Sequence, residues 1–229
     1  FQKKQNQVVF RGTNQPSTGI FTGTKKHASL TEATIITQTA NWIKSVVIGC
    51  NFCPFADKAV QLKSIRYVVV PEATMEKALA SFFDELRYLD KTENIETTLL
   101  IFPNNFADFE EYLDLVTLAE HLSRDYDYEG VYQVASFHPD YQFAGTDPDD
   151  VTNATNRSPY PTLHLIREES IDRAVQAFPD AAAIYETNIA TMEALGEAGW
   201  ADLLAACRDD AAASDCGATP SDPPHGQSS

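Results

Sequence analysis

From Phe137 to Glu168 the chain reads FHPDYQFAGTDPDDVTNATNRSPYPTLHLIRE, and this stretch decides the fold. The apolar runs 131–137 and 162–166 at its two ends are typical of β-strands. The polar segment between them exceeds 20 residues, which is long enough to join the two strands as an antiparallel pair. That pairing would bring His138 and Tyr160 to the same edge of a sheet.

Two more strands are predicted upstream, at 65–70 and 97–102, and a proline directly follows each of them. Met75 begins an amphipathic helix between the two strands, because apolar residues recur from there at helical spacing. Asn105 is suited to cap a third helix, whose apolar side chains recur through Leu122. Alternation of strands and helices predicts right-handed crossovers and parallel pairing.

The remaining helices are predicted at the two ends of the domain. Ser29 and Glu32 fit a capping box for a first helix that extends to Val47, with Gly49 as its stop. Ser170 is predicted to cap a short helix. A final helical region is expected over 179–207, interrupted near Gly196 and Gly199.

These elements predict an α/β (or α+β) fold with a single domain over residues 30–206. We expect a mixed, mostly parallel sheet of about four strands packed with about five helices. Residues 1–29 are predicted to form a flexible basic leader, and residues 207–229 a disordered acidic tail. Open sheets of this kind bind ligands at the carboxyl edge of their parallel strands, where the segment 138–160 would lie.

The charge distribution argues against several classes of partner. The net charge is −16, and five of the 17 Lys and Arg residues fall in residues 1–31, which contain no Asp or Glu. An acidic body disfavours nucleic acid. No apolar run approaches the roughly 20 residues that a membrane span needs. We therefore expect a cytoplasmic protein whose partner is neither nucleic acid nor membrane.

The segment 138–160 concentrates side chains that donate, accept and carry protons, which a plain connection does not need. His138 is predicted as an acid/base group and Cys53 as a nucleophile, and Asp150 is included among the candidate catalytic residues. Arg157 suits an anion, so the expected ligand is a small anionic molecule. The residues predicted to bind it are Asn153, Asn156, Arg157, Tyr160, His164 and Arg167.

The same segment allows a metal hypothesis. His138, Asp149, Asp150 and His164 together offer the ligand types that divalent cations take, although no local metal-binding spacing joins them. The cofactor is therefore unknown, with none predicted outside this alternative. The oligomeric state does not follow from the sequence.

The cysteines leave several interpretations open. Cys50 and Cys53 form a Cys-x-x-Cys pair, but it follows a helix, whereas in thioredoxin the pair follows a strand. A zinc site would need two more ligands, and Cys207 and Cys216 lack matching spacing. Buried thiols, a single functional Cys53, and a redox or metal pair all stay open.

Several motifs resemble one known family. They are Cys53-Pro-Phe-Ala, Glu96-Thr-Thr-Leu-Leu, Ala135-Ser-Phe-His-Pro, Phe143-Ala-Gly-Thr, Asp149-Asp150, Thr155-Asn-Arg-Ser-Pro-Tyr-Pro and Leu163-His-Leu-Ile-Arg-Glu. Over residues 30–206 the chain resembles the bacterial family catalogued as domain of unknown function 1415. The resemblance implies kinship and no activity. In that family an apolar residue usually stands at the position of Cys50, which weakens the redox and zinc interpretations.

Four functions are compatible with these observations: an enzyme of transferase or hydrolase type acting on a small anionic metabolite, a metal-dependent hydrolase, a non-catalytic binding module, and a loop that is bonded internally while function lies elsewhere.

Overall fold

The computed structural model describes residues 30–53, 55–177 and 181–208. A four-stranded sheet lies at the centre, with helices on both faces. In chain order the elements are α1 Glu32–Trp42, a π-helix Ile43–Ile48, α2 Ala56–Gln61, β1 Ile65–Val69, α3 Met75–Lys91, β2 Thr97–Ile101, α4 Phe109–Asp125, β3 Tyr132–Phe137, a 3₁₀-helix Val151–Asn156, β4 Thr162–Arg167, α5 Glu168–Ala177 and α6 Ala181–Arg208.

The sheet is mixed, with the strand order β1-β2-β4-β3. Strands β1 and β2 are parallel, and β4 is antiparallel to both of its neighbours, β2 and β3. The predicted antiparallel pairing of β3 with β4 is confirmed, and so is the α/β class. The expectation of a mostly parallel sheet is wrong, because β4 is inserted between β2 and β3.

Alternation along the strands divides the core into two layers. In β2, Leu100 and the following Phe102 pack under α3 and α4, whereas Leu99 and Ile101 face α1, the π-helix and α6. Helix α3 contributes Phe82, Leu86 and Leu89 to the first layer, as its helical spacing predicts. Each such side chain stabilises the fold by about 1.5–3 kcal/mol when it is fully buried.

The first helix differs from its prediction in the middle. Its N-cap is Thr31, whose side chain accepts a hydrogen bond from the N–H of Thr34, and its α-helical part ends at Trp42. A π-helix then continues to Ile48, and the N–H of Gly49 bonds to the carbonyl of Lys44. The predicted cap Ser29 lies outside the described residues.

Two predicted helix caps are wrong. Asp108, not Asn105, caps α4, because Phe106 has a left-handed backbone (φ 58°) that separates Asn105 from the helix. Helix α5 begins at Glu168, directly after β4, so Ser170 lies inside it.

The last helix, α6, runs from Ala181 to Arg208 and bends at Gly196, whose φ is +66°. This bend agrees with the predicted interruption. The helix ends two residues past the predicted domain boundary at 206. The predicted leader, and the predicted tail from 209 onward, lie outside the described residues. Among the described helices, none is both long and apolar enough to span a membrane.

The carboxyl ends of β1, β2 and β3 share one edge of the sheet, and β4 starts there. The connections after β1 and β2 are tied together at this edge, because Asn105 accepts from the N–H of Ala73 and Asn104 donates to the carbonyl of Pro71. The segment 138–161 therefore lies at the edge that the sequence predicted.

Candidate functional site

His138 is completely buried (0% exposed), with its ring between Phe109 and Tyr112. Its Nδ1 accepts from the N–H of Asp140 at 3.0 Å, so its Nε2 carries the proton and donates to the carbonyl of Phe106 at 2.9 Å. Burial lowers the pKa of His138, in keeping with an Nδ1 that accepts a hydrogen bond and so carries no proton. Both nitrogens are engaged by the main chain, which favours a structural role for this residue over proton transfer.

The two asparagines predicted to bind substrate also bond to the loop itself. Asn153, at 0% exposure, accepts from the N–H of Phe143 and the hydroxyl of Thr146 and donates to the carbonyl of Asp147. Asn156 donates to the carbonyl of Ser136 at 3.2 Å. The two amides thereby satisfy buried main-chain groups that a long connection would otherwise leave unbonded.

Arg157 is held in the same way. Its Nε donates to the carbonyl of Tyr141 at 3.2 Å and its Nη2 to that of Pro148 at 2.8 Å. Its own carbonyl accepts from the indole N–H of Trp42 at 3.0 Å. Two of the three guanidinium nitrogens thus hold the loop together, which leaves little of the fork geometry that an anion would need.

Asp150 is the N-cap of the 3₁₀-helix. One of its carboxylate oxygens accepts from the N–H and the hydroxyl of Thr152, and these two bonds lower the pKa of Asp150. Its neighbour Asp149 is exposed. Capping accounts for the geometry of Asp150 without a catalytic partner.

The remaining predicted binding residues are dispersed. The hydroxyl of Tyr160 donates to Gln38 on α1. Arg167 lies at the far end of β4, where its guanidinium donates to the carbonyls of Leu89, Thr92 and Ile95. Arg167 thereby caps the carboxyl end of α3, about the length of a strand away from the loop.

Cys53 is in the turn that follows the π-helix, and the residue as a whole is half-buried. Burial raises the pKa of Cys53, and hydrogen bonds from the N–H groups of Phe55 and Ala56 only partly oppose this. Among the described cysteines, Cys50, Cys53 and Cys207 are all free thiols. A raised pKa disfavours the thiolate that a nucleophile needs.

The metal alternative fails on geometry. His138 lies under α4, whereas His164 is on the opposite face of the sheet, in register with Leu99 and Ala135. Within residues 30–53, 55–177 and 181–208, no group of three or more His, Cys, Asp or Glu side chains converges. The predicted set of His138, Asp149, Asp150 and His164 is therefore not assembled.

His164 differs from the other predicted residues because one of its nitrogens is left uncommitted. The hydroxyl of Thr97 donates its single proton to the carbonyl of Leu165, so it must accept from Nε2 of His164, 2.5 Å away. The proton of the neutral imidazole is then on Nε2, and the lone pair on Nδ1 has no partner in the described part of the chain. The residue is half-buried, and this burial lowers the pKa of His164 to about 4.

We use the name His164 face for the side of the sheet that carries Tyr67, Thr97, Leu99, His164 and Phe137. Helix α1, the π-helix and α6 cover it incompletely. On this face the strand residues Ile65, Tyr67, Val69, His164 and Ile166 are half-buried, whereas Leu99, Ile101 and Ala135 are buried.

The covering helices contribute two further polar atoms without partners. Asn41 Nδ2 on α1 and Asn188 Oδ1 on α6 are both buried, and neither makes a hydrogen bond within the described residues. Such atoms are rare in folded proteins and call for a water or a ligand. One wall of the same layer is aromatic, where the rings of Trp42 and Phe137 meet at 5.2 Å and that of His164 lies 6.0 Å from Phe137.

A family model described as "Protein of unknown function (DUF1415)" matches residues 34–202. The chain belongs to the DUF1415 family. No curated protein and no solved structure matches it.

Membership of the DUF1415 family confirms the resemblance that the sequence motifs indicated. It assigns no activity, so the role of each residue depends on its geometry. Sequence reasoning missed Thr97, because cross-strand neighbours become visible only when the register is known. Asn41 could have been singled out from the sequence, because asparagine disfavours the interior of a helix unless its side chain makes a specific contact.

Proposed function

We propose that this DUF1415 protein is a non-catalytic binding protein that takes a small, largely apolar molecule against the His164 face. The observation that carries the proposal is the uncommitted Nδ1 of His164, fixed as an acceptor by the Thr97 hydroxyl. A ligand that fits this acceptor supplies a hydroxyl or N–H donor. The neighbouring side chains Tyr67, Leu99 and Phe137 favour an apolar or aromatic body.

The pKa of His164 supports binding over general-base catalysis. A base works best when its pKa is near the operating pH. With a pKa of about 4, His164 is a poor proton acceptor at neutral pH, although its lone pair still accepts a hydrogen bond. The enzyme predicted at the loop and its small anionic ligand both stay predictions. The bonds of His138 and Arg157 to main-chain groups do not favour them.

A ligand-detected NMR screen of two fragment sets, followed by protein amide NMR with each hit, tests the proposal on the full chain. One set holds aromatic alcohols and amides, and the other holds phosphorylated and carboxylated metabolites. We expect hits in the first set, with amide shifts at Leu99, Ala135 and His164. His164→Phe keeps a ring but removes the acceptor, and it should weaken the hits at least tenfold.

His121→Phe is the matched control, because His121 is exposed on α4. It should bind the fragments as the unchanged protein does. The proposal is wrong if the hits survive His164→Phe, or if only the anionic set binds and its shifts map to residues 138–160. The second result would favour the anionic ligand predicted from the sequence.

A further inference from the structure

A second surface, independent of the His164 face, lies along the outer edge of the sheet at β3. Phe102 donates its N–H to the carbonyl of Pro161 at 2.9 Å. The main-chain groups that face β2 are therefore those of Pro161, Leu163 and Leu165. In an antiparallel sheet, successive residues of a strand direct their N–H and carbonyl groups to opposite sides of the strand. His164 therefore directs its N–H and carbonyl toward β3, and its partner Ala135 directs its own toward β4. Val134, next in sequence, must then turn its N–H and carbonyl outward, away from the sheet.

The neighbouring outward groups of β3 agree with this assignment. The carbonyl of Ser136 accepts from the side chain of Asn156, and the N–H of Tyr132 donates to the carbonyl of Tyr128. The loop thus covers one end of the edge and a turn covers the other. Val134 lies between the two covered ends.

A crevice of about 250 Å³ lies against this edge, and Val134 lines it. Small-molecule pockets usually span about 300–1,000 Å³, so this volume suits one or two side chains of a peptide better than a metabolite. Its charged rim is mainly acidic, with one basic residue, and consists of Glu120, Arg124, Glu129 and Glu168.

We propose that this crevice docks an extended segment of a partner protein that pairs with Val134 and places a lysine or arginine side chain beside Glu120 and Glu129. Open strand edges are templates for pairing with another chain, and added strands gain affinity from main-chain bonds and specificity from side-chain pockets. The acidic rim selects a cationic segment. Because Asn156 covers the edge at Ser136, the docked segment is short.

The proposal is tested by titrating the full chain with an acetylated and amidated Val-Lys-Val-Lys-Val peptide, followed by amide NMR. We expect the largest shifts at Gly130 and Val134. The double substitution Glu120→Gln with Glu129→Gln should weaken binding at least fivefold. Glu110→Gln with Glu111→Gln changes two exposed acids at the other end of α4, and binding should stay within twofold.

Strand pairing is tested on the unchanged protein, so that misfolding cannot interfere. The same peptide with methylated backbone nitrogens should bind at least tenfold more weakly, because it cannot donate to the edge. Equal binding of the methylated peptide, equal binding of Val-Glu-Val-Glu-Val, or no shift at 1–5 mM peptide (about the weakest affinity worth detecting) would each overturn the proposal. Shifts at Leu99 and His164 instead would assign the peptide to the His164 face.

Discussion

At the scale of single residues, the Tyr112 hydroxyl holds the point where β3 and β4 separate into the long loop. It donates to the carbonyl of Thr162 at 2.7 Å and accepts from the N–H of Phe137 at 3.1 Å. The two residues are paired in the ladder, so one phenol bridges the last pair of the two strands. Burial raises the pKa of Tyr112 well above its ordinary value, which keeps the hydroxyl protonated.

Removing this hydroxyl should destabilise the protein, because it leaves a buried N–H and a buried carbonyl unsatisfied. We expect Tyr112→Phe to lower the free energy of unfolding by about 1–3 kcal/mol, measured in urea. Tyr126→Phe is the control, since Tyr126 is 54% exposed, and it should change little. Equal effects of the two substitutions would show that the Tyr112 hydroxyl does not support the strands.

His164 should make stability depend on pH on the acid side. Its folded pKa of about 4 is below its ordinary value of 6.5. Between these pH values the unfolded chain binds a proton that the folded chain does not. The free energy of unfolding therefore falls as the pH drops from 6.5 to 4, by at most about 3 kcal/mol, and is unaffected above that window.

His164→Gln keeps a donor for Thr97 and should remove this part of the acid-side loss. The lowered pKa of His138 acts in the same direction, so part of the loss will remain. His121→Gln should keep the full dependence. Urea unfolding at several pH values between 4 and 7.5 measures this dependence in the unchanged protein and in both variants. If the free energy of unfolding fell as steeply with pH in His164→Gln as in the unchanged protein, the lowered pKa of His164 would be contradicted.

The polar cluster at 138–160 was predictable from the sequence, but its purpose was not. Side chains that donate and accept hydrogen bonds, such as those of Asn153 and Arg157, are recognisable from their residue type. Their partners are main-chain groups, which every residue carries, so no sequence pattern marks which carbonyl a side chain will reach. His164 was predicted as a substrate-binding residue and, in the metal alternative, as a metal ligand. Its free Nδ1 depends on Thr97, a contact set by strand register.

At the scale of elements, the π-helix Ile43–Ile48 turns the chain from α1 into the segment that carries Cys53. The wider helix brings backbone groups close at its end, where a Cβ on Gly49 would be 2.2 Å from the carbonyl oxygen of Ser45. Glycine is required there by contact and not by backbone angle, because its φ is −60°. Sequence reasoning found the stop at Gly49 but not the change of helix type.

Gly49→Ala should therefore destabilise the protein by at least about 2 kcal/mol, since backbone must move to admit the methyl group. Gly130→Ala provides the contrast. Gly130 has a φ of +82° with open space around its Cβ position, so alanine there adds backbone strain only, about 1 kcal/mol. Thermal unfolding of both variants ranks them, and a smaller loss at Gly49 than at Gly130 would contradict the close approach.

Strand and helix bounds were predicted well where periodicity was strong, as at α3 and β2. Two helix caps were predicted at the wrong residues, because a residue that suits a cap can instead bond to a distant part of the fold. Asn105 satisfies a cap pattern, yet it serves the N–H of Ala73 across the edge of the sheet. The left-handed backbone of Phe106, whose carbonyl bonds to His138, then delays the start of α4.

At the scale of the whole molecule, the last strand in sequence occupies an inner position of the sheet. Parallel pairing was predicted from strand–helix alternation, which cannot reveal that β4 enters between β2 and β3. Without β4, both neighbours lose a full set of ladder bonds. The sheet is therefore a single cooperative unit whose integrity depends on residues 162–167.

We expect a chain that ends at residue 161 to lack a cooperative unfolding transition, with the full chain as reference. Supplying residues 162–229 as a separate chain should restore part of the transition, because the missing strand can then enter. Circular dichroism during urea titration measures this. Cooperative unfolding of the shortened chain alone would contradict the central role of β4.

The inner position of β4 also has a consequence for biosynthesis. A ribosome that adds roughly 5–20 residues per second needs about 3–12 s to pass from the end of β2 to the start of β4. Throughout that interval the nascent chain exposes one unpaired side of β2, rich in threonine and leucine. Transient chaperone binding to this strand, until the last strand emerges and closes the gap, is the expected cost of the sheet order.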